Sequence, residues 1–166
     1  MKSCRIMGLD PGLRNTGWGV IDCLDNRIKH VAHGRISPSP DGELSARLVI
    51  LHKELTTLIQ KHKPDEAALE ETFVNVNPTS ALKLGQARGV ILATPALLGV
   101  KVAEYAPNKI KKSVVGAGHA SKEQVMVMMR HLLPGAGELT PDAADALAVA
   151  ICHAHYRATL NRWEAT

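Results

Sequence analysis

The stretch RIMGLDPG (residues 5–12), with GWGVI (residues 17–21) behind it, decides how the rest of the chain is interpreted. Its apolar residues stop at Asp10 and Pro-Gly follows at once, which predicts a buried strand with a carboxylate at its C-terminal end. Sheets of α/β proteins hold their reactive groups at that end of the strands. A carboxylate there needs a hydrogen bond, an ion pair or a metal. Asp-Pro-Gly is also good turn chemistry, so partners elsewhere in the chain must decide between a turn and a site.

Composition indicates one globular domain over residues 1–166, with about the last ten residues as a tail. The chain is 45% hydrophobic, and a domain of this length buries roughly 70% of its unfolded surface. Its cysteines, Cys4, Cys23 and Cys152, are odd in number and not closely paired, which argues against disulfides or a zinc cluster and for a reducing compartment. The sequence shows neither a basic leader with an apolar run nor about 18 uninterrupted apolar residues. We therefore expect a cytoplasmic protein without a membrane partner.

Positive charge is concentrated in one segment. The net charge is +4, and residues 101–122 alone hold five lysines against one acid, Glu104. A basic segment in a chain that also places acids at buried positions indicates a polyanion held next to a metal site. A solvated lysine-rich helix is the alternative, and it is the commoner outcome for charge runs.

The first half of the chain predicts three antiparallel strands, a helix and a parallel strand. Tight turns separate the first three segments, which makes them a meander. A helix with leucines at helical spacing follows, and a right-handed crossover returns the next strand to lie beside the first. Glu70 then lies next to Asp10. The predicted ranges are 4–9, 17–24 and 28–36 for the meander, 44–62 for the helix and 66–70 for the parallel strand.

The second half predicts a long helix, a fifth strand and three further helices. Gly85 and Gly89 each cost the long helix about 1 kcal/mol, so we interpret them as positions where backbones pack closely. The sequence SKEQ from Ser121 is a capping box that opens a helix. The predicted ranges are 80–98 for the long helix, 100–105 for the strand, 108–115 and 125–133 for two helices, and a final helix with Thr140 as its N-cap.

Two acids project from one face of the final helix, because Asp142 and Asp145 are three residues apart. The helix dipole alone favours a carboxylate near the N-terminus, which explains Asp142 without any function. Asp145 lies one turn into a helix that is otherwise apolar nearly all round and is expected to be buried. A buried acid there requires a cation. Asp10, Glu70, Asp142 and Asp145 are therefore candidates for one cluster.

This order of strands, helices and acids predicts an α/β fold of the ribonuclease H-like class, with a five-stranded mixed sheet of three antiparallel and then two parallel strands, flanked by helices. The chain also resembles the RuvC family of bacterial Holliday-junction resolvases from about residue 5 to residue 155. The motifs that carry the resemblance are LDPGLRNTGWGV (9–20), ALEETF (68–73), SALKLGQARG (80–89), VVGAG (114–118) and DAADALA (142–148). The motif at 80–89 is the most specific of them.

The resemblance implies a homodimeric, magnesium-dependent endonuclease that nicks two strands of a four-way DNA junction in recombination and repair. It also implies the branch-migration proteins RuvA and RuvB as partners. The motif places one acid three residues before an aromatic, which selects Glu70 rather than Glu71 because the aromatic is Phe73. The residues that match the family's catalytic, metal-binding carboxylates are Asp10, Glu70, Asp142 and Asp145.

The resemblance further assigns contacts with DNA. Lys111 and Lys122 fall where the family has lysines at the active site, and Lys112 is included as the near neighbour of Lys111. Phe73 is the only phenylalanine and follows the catalytic strand in a polar loop. The resemblance supports an aromatic there that stacks on or wedges between bases at an opened crossover. A core side chain that caps the sheet is the alternative for Phe73.

The chemistry of the acids agrees with this assignment. Phosphodiester hydrolysis needs an in-line water, a Lewis acid on the attacking and leaving oxygens, and neutralisation of charge at phosphorus. Four carboxylates can hold two Mg²⁺ about 4 Å apart, with Mn²⁺ as a substitute, whereas His or Cys ligands favour softer metals. We expect Asp10 to bridge the two ions. Glu70 and Asp145 then complete one site and Asp142 the other.

A symmetric dimer is expected, because one chain offers a single acid cluster whereas resolution takes two symmetric nicks. The predicted interface is the helix around residues 82–90. Gly85 and Gly89 leave backbone accessible there, and the apolar contacts are Leu84, Ala87 and Val90.

Two alternatives stay open at this point. Sugar kinases and chaperone ATPases share the fold and hold phosphate with an acid and glycines in the first hairpin, as residues 10–12 with Gly17 would do. The chain offers no second ribonuclease H-like lobe to close over ATP, which argues against them. A junction-binding protein without catalysis is the other alternative. Four intact acids argue against it, and a metal-dependent nicking assay distinguishes the two.

Overall fold

The computed structural model describes residues 3–71 and 77–164, with side chains for all of these except residues 158 and 160–164. Eleven elements follow one another along these ranges. In chain order they are β1 (Cys4–Asp10), β2 (Thr16–Leu24), β3 (Arg27–Ile36), α1 (Leu44–His62), β4 (Glu66–Glu70), α2 (Pro78–Leu97), β5 (Lys101–Tyr105), α3 (Pro107–Val115), α4 (Lys122–Leu132), a 3-10 turn (Pro134–Ala136) and α5 (Pro141–Glu164).

The strands form one mixed sheet in the order β3-β2-β1-β4-β5. The first three are antiparallel, and β4 and β5 add in parallel to β1. Leu9 pairs with Leu69, so Asp10 and Glu70 are the next residues at the same edge of the sheet. The predicted sheet, with three antiparallel and two parallel strands, is confirmed.

Local capping sets two of the helix starts. The Asn77 side chain accepts hydrogen bonds from the backbone N–H groups of Thr79 and Ser80, so α2 begins two residues before the predicted start. The predicted capping box is present, because Ser121 and Gln124 each accept the other's backbone N–H. It starts α4 at Lys122, three residues earlier than predicted.

The two faces of the sheet carry separate cores. Ile6 and Ala68 face α5, α3 and α4, whereas Met7 and Leu69 face α1 and α2, as the alternation of side chains along a strand requires. α5 is buried on nearly every side from Ala143 to Ala154. Such a helix needs an apolar partner all round, and the sheet with α3 and α4 provides it.

The prediction for Ala87 is wrong. It was expected to offer apolar contact at a dimer interface, but it is fully buried in the core with Ile91, which lies one turn further along the same face of α2. Gly85 and Gly89 lie on the other side of α2. A Cβ added to either glycine would meet no described atom within 4 Å outside its own stretch of α2, so neither serves close packing against the part of the chain that the structure describes.

Among the residues that the structure describes, no helix has the length and apolar character needed to cross a bilayer.

Candidate active site

Three of the four predicted acids line one cavity at the C-terminal edge of the sheet. Asp10 ends β1, Glu70 ends β4, and Asp145 is in the second turn of α5. The cavity has a volume of about 230 Å³, and Lys111 and Lys122 also line it. Asp142 is not part of its lining, although its charge acts on both Asp10 and Asp145. The sheet edge and the start of α5 thus bring separate parts of the sequence together.

The turn after Asp10 is held by its own hydrogen bonds. The Thr16 hydroxyl donates to the Gly12 carbonyl at 2.6 Å and accepts from the Gly12 N–H at 3.3 Å. Pro11 and Leu13 are buried beneath the turn. These contacts hold the loop between β1 and β2 in place, and this loop follows directly on Asp10, whose carboxylate lines the cavity.

Glycines in β1 and β2 allow α5 to approach the sheet closely, which places the acids of α5 beside Asp10. A Cβ on Gly8 would lie 2.7 Å from the backbone nitrogen of Ala150, and one on Gly17 would lie 2.5 Å from the backbone carbonyl carbon of Asp142. Gly17 pairs with Asp10 across the β1–β2 hairpin. These contacts leave no room for a side chain, so the backbone of α5 rests directly on the sheet beside Asp10.

The sequence interpretation missed this role of the glycines. The signal was available, because a glycine within a strand often marks a place where another backbone approaches. The sequence analysis assigns close packing to Gly85 and Gly89 of α2 instead, and the space around a Cβ at those two positions is open.

The acids interact strongly in the absence of a cation. Burial raises the pKa of Asp10 to about 8, and the charges of Glu70, Asp145 and Asp142 add to the rise. Burial also raises the pKa of Glu70, with a further contribution from Asp145. The pKa of Asp145 is raised by burial, although Lys122 opposes this. A cation bound among these carboxylates would favour their ionised forms and so oppose all three rises in pKa.

The lysines of the basic segment have different surroundings. Lys111 and Lys122 lower the pKa of Glu70 and of Asp145, as positive charges beside an acid should. Lys112 is exposed on α3 and does not line the cavity. The Lys109 ammonium lies 4.0 Å from the centre of the Tyr156 ring, a cation–π contact. The segment is therefore not a uniform solvated face.

The donor set suits a hard divalent cation. Carboxylate oxygens are the ligands that Mg²⁺ prefers. Burial, together with the charges of the neighbouring acids, raises the pKa of Asp10, and a cation would offset both effects. Within residues 3–71 and 77–164, no three His, Cys, Asp or Glu side chains are yet arranged as a metal site. The residues fit a metal by their chemistry and their shared cavity.

Phe73, the predicted stacking residue, lies outside the described residues.

Comparison with known proteins decides the family. Residues 6–153 match the protein family described as crossover junction endodeoxyribonuclease RuvC. The chain belongs to the RuvC family. RuvC of Paramagnetospirillum magneticum is 62% identical over 155 residues, which cover 93% of each chain. RuvC of Rhodospirillum rubrum is 59% identical over 154 residues, covering 93% of this chain and 91% of the relative.

Solved structures agree with RuvC membership. The structure described as Thermus thermophilus RuvC in complex with Holliday junction substrate has a TM-score of 0.86 at 31% identity, covering 94% of this chain and 96% of that one. A yeast mitochondrial Holliday junction resolvase, 15% identical, has a TM-score of 0.71 and shares the fold. The ribonuclease H-like prediction is confirmed, and membership of the RuvC family decides against the kinase and chaperone-ATPase alternative.

Proposed function

We propose that this chain is a structure-specific endonuclease that resolves four-way (Holliday) DNA junctions by hydrolysing phosphodiester bonds in recombination and repair. Its membership of the RuvC family carries the proposal. The T. thermophilus relative, whose structure contains Holliday junction substrate, supports the same substrate here. Three acids and two lysines around one cavity give the chain the groups that such a hydrolysis requires.

RuvC-family members are metal-dependent nucleases. The proposed metal is Mg²⁺, with two ions for each active site and Mn²⁺ as a substitute. Bound there, the ions would supply Lewis acidity to the attacking and leaving oxygens. Asp10, Glu70 and Asp145 line the cavity together and would hold one ion. Asp142, which influences Asp10 from outside that lining, would hold the other with Asp10 as the bridge.

The lysines would handle the phosphate. Lys111 and Lys122 line the same cavity as the acids and can neutralise charge on the scissile phosphate. Their positive charge also opposes the rise in the pKa of Glu70 and of Asp145 that burial causes, which favours the ionised forms that bind metal. Lys112, exposed one residue along α3, would contact the DNA backbone outside the cavity.

The proposed working form is a homodimer built on α2. Leu82 is 65% exposed and Leu97 is 76% exposed, so this helix presents apolar surface to solvent. Gly85 and Gly89 leave open space for a second backbone to approach. Two copies related by a two-fold axis would direct two equivalent cavities at the junction, with Phe73 of each copy near its centre.

The remaining proposals concern the domain organisation, the partner proteins and the cellular location. The whole chain would act as one nuclease domain, and RuvA and RuvB would supply branch migration. A nuclease that acts on recombining bacterial DNA is expected to work in the cytoplasm.

Cleavage of a labelled four-way junction in the presence and absence of Mg²⁺ tests the function. Asp145→Asn is expected to lower the cleavage rate at least about 100-fold while retaining junction binding, because a metal ligand is lost and the phosphate is repelled less. Asp41→Asn, a change in an exposed loop, is the matched control and should cut at the normal rate. Equal rates for the two variants, or cleavage without any divalent cation, would contradict the proposal.

A further inference from the structure

A second cavity opens beside the active site, between α4 and the start of α5. Its volume is about 380 Å³, within the usual range for sites that bind small molecules. We name it the α4 groove and define it by its lining within residues 122–130 and 141–145. Lys122 and Asp145 line both this groove and the active-site cavity. A DNA strand bound at the active site would therefore reach the groove within one nucleotide.

The groove has an apolar floor with charges around it. Met126, Val127 and Ala144 form most of the floor. Val127 is 64% exposed, so packing of the chain's own core does not explain it. Lys122 lies at one end of the groove and Arg130 at the other. The helical rise separates their Cα atoms by about 12 Å along the axis of α4. Glu123 adds a hydrogen-bond acceptor to the rim.

We propose that the α4 groove binds the nucleotide next to the scissile phosphate, with its base on Met126 and Val127 and its outer phosphate at Arg130. This inference rests on the proposed function. The phosphates of a DNA backbone do not pack against apolar side chains. A nucleobase does, because its faces are apolar while its edges are polar. The thioether of Met126 suits an aromatic face, and cationic ends match the two phosphates that flank one nucleoside.

The junction provides such a nucleotide. Base pairs at a crossover lose a stacking neighbour, so a base there can leave the stack at lower cost than within a duplex. Lys122 holds the scissile phosphate in the active-site cavity and borders the groove, which places the adjoining base over Val127. The groove thus adds recognition of one nucleoside to a site that otherwise handles only phosphate and metal.

Binding measurements without cleavage test the proposal. Val127→Glu puts a charge on the floor, and Val49→Glu makes the same change at a 49% exposed position of α1, on the other face of the sheet. Both variants should fold normally, because Glu favours helix more than Val does. In EDTA, Val127→Glu is expected to weaken binding of an intact junction about tenfold, or about 1.4 kcal/mol, and Val49→Glu less than about twofold.

The decisive comparison uses junctions with one abasic nucleotide at each position near the crossover. Removing the seated base should reduce the effect of Val127→Glu to less than about twofold at one position only. Arg130→Ala should lower the salt dependence of binding by about one unit of slope. Two results would overturn the proposal. In the first, Val127→Glu binds the junction as tightly as Val49→Glu does, which would indicate that the groove binds a protein partner instead. In the second, the effect of Val127→Glu persists at every abasic position. Nicking by the unaltered protein with Mg²⁺ is scored separately, so a failure of the proposed function is distinguishable.

Discussion

Replacing Asp10 by Asn is expected to stabilise the metal-free protein at alkaline pH. Burial and the neighbouring acids raise the pKa of Asp10 to about 8, whereas an unfolded Asp titrates near about 3.9. Between these values only the folded carboxyl holds its proton. The stability that this proton contributes is complete below the unfolded pKa and is lost as the pH rises through the folded one.

The size of the effect follows from the pKa difference. From pH 5 to pH 8 the unaltered protein should lose about 1.4 kcal/mol for each pH unit, or about 4 kcal/mol in all. For a domain of this size that corresponds to a fall in Tm of about 8–16 °C. The amide introduced by Asp10→Asn carries no charge at either pH, so this variant should keep only the smaller pH dependence that comes from Glu70 and Asp145.

Thermal unfolding in EDTA at pH 5 and pH 8 measures this directly. The unaltered protein and Asp10→Asn should have similar stability at pH 5 and differ at pH 8, where the variant is the more stable. Mg²⁺ at pH 8 should raise the Tm of the unaltered protein and leave that of the variant nearly unchanged. Asp41→Asn should follow the unaltered protein. Parallel pH profiles for Asp10→Asn and the unaltered protein would refute the claim that burial and the neighbouring acids raise the pKa of Asp10.

Three further outcomes are expected. Gly8→Ala should cost about 1–3 kcal/mol of unfolding free energy and lower the cleavage rate, because its Cβ meets the backbone of α5. Gly135→Ala is the control, since the space around Gly135 is open, and it should leave both stability and cleavage rate unchanged. Equal melting curves for the two variants would be evidence against close packing of α5 on the sheet. Lys111→Ala and Lys122→Ala should each reduce the salt dependence of junction binding by about one unit of slope, and an unchanged slope in a salt titration would show that they make no phosphate contact. Phe73→Ala should weaken junction binding by about 1–3 kcal/mol without affecting duplex binding, and equal losses on both substrates would exclude stacking at the crossover.

Much of this fold follows from the sequence because its signals are local. The turns between the first three strands are too short for anything but antiparallel pairing, and the crossover helix returns β4 beside β1 in the usual hand. Asp10 and Glu70 then meet because both end neighbouring strands. Asp145 could be predicted from a different signal, a charge within an otherwise apolar helix.

The parts that could not be predicted depend on how helices rotate against the sheet. Periodicity indicates that α2 is a helix but leaves its buried side open, since its apolar residues surround the axis, and Ala87 was therefore placed on the wrong face. Composition likewise gives five lysines in one segment without showing that Lys109 packs on Tyr156 while Lys111 faces the acids. Only the packed structure separates these lysines.

Linearisation of a cruciform plasmid tests the central claim most directly, that two equivalent carboxylate sites resolve a junction together. With Mg²⁺, the unaltered protein should yield linear DNA without accumulation of nicked circles, and sedimentation on junction DNA should show two protein chains for each junction. Glu70→Gln should bind the cruciform and leave it uncut. Persistent nicked circles, a single chain on the junction, or linear product from Glu70→Gln at the normal rate would contradict the account.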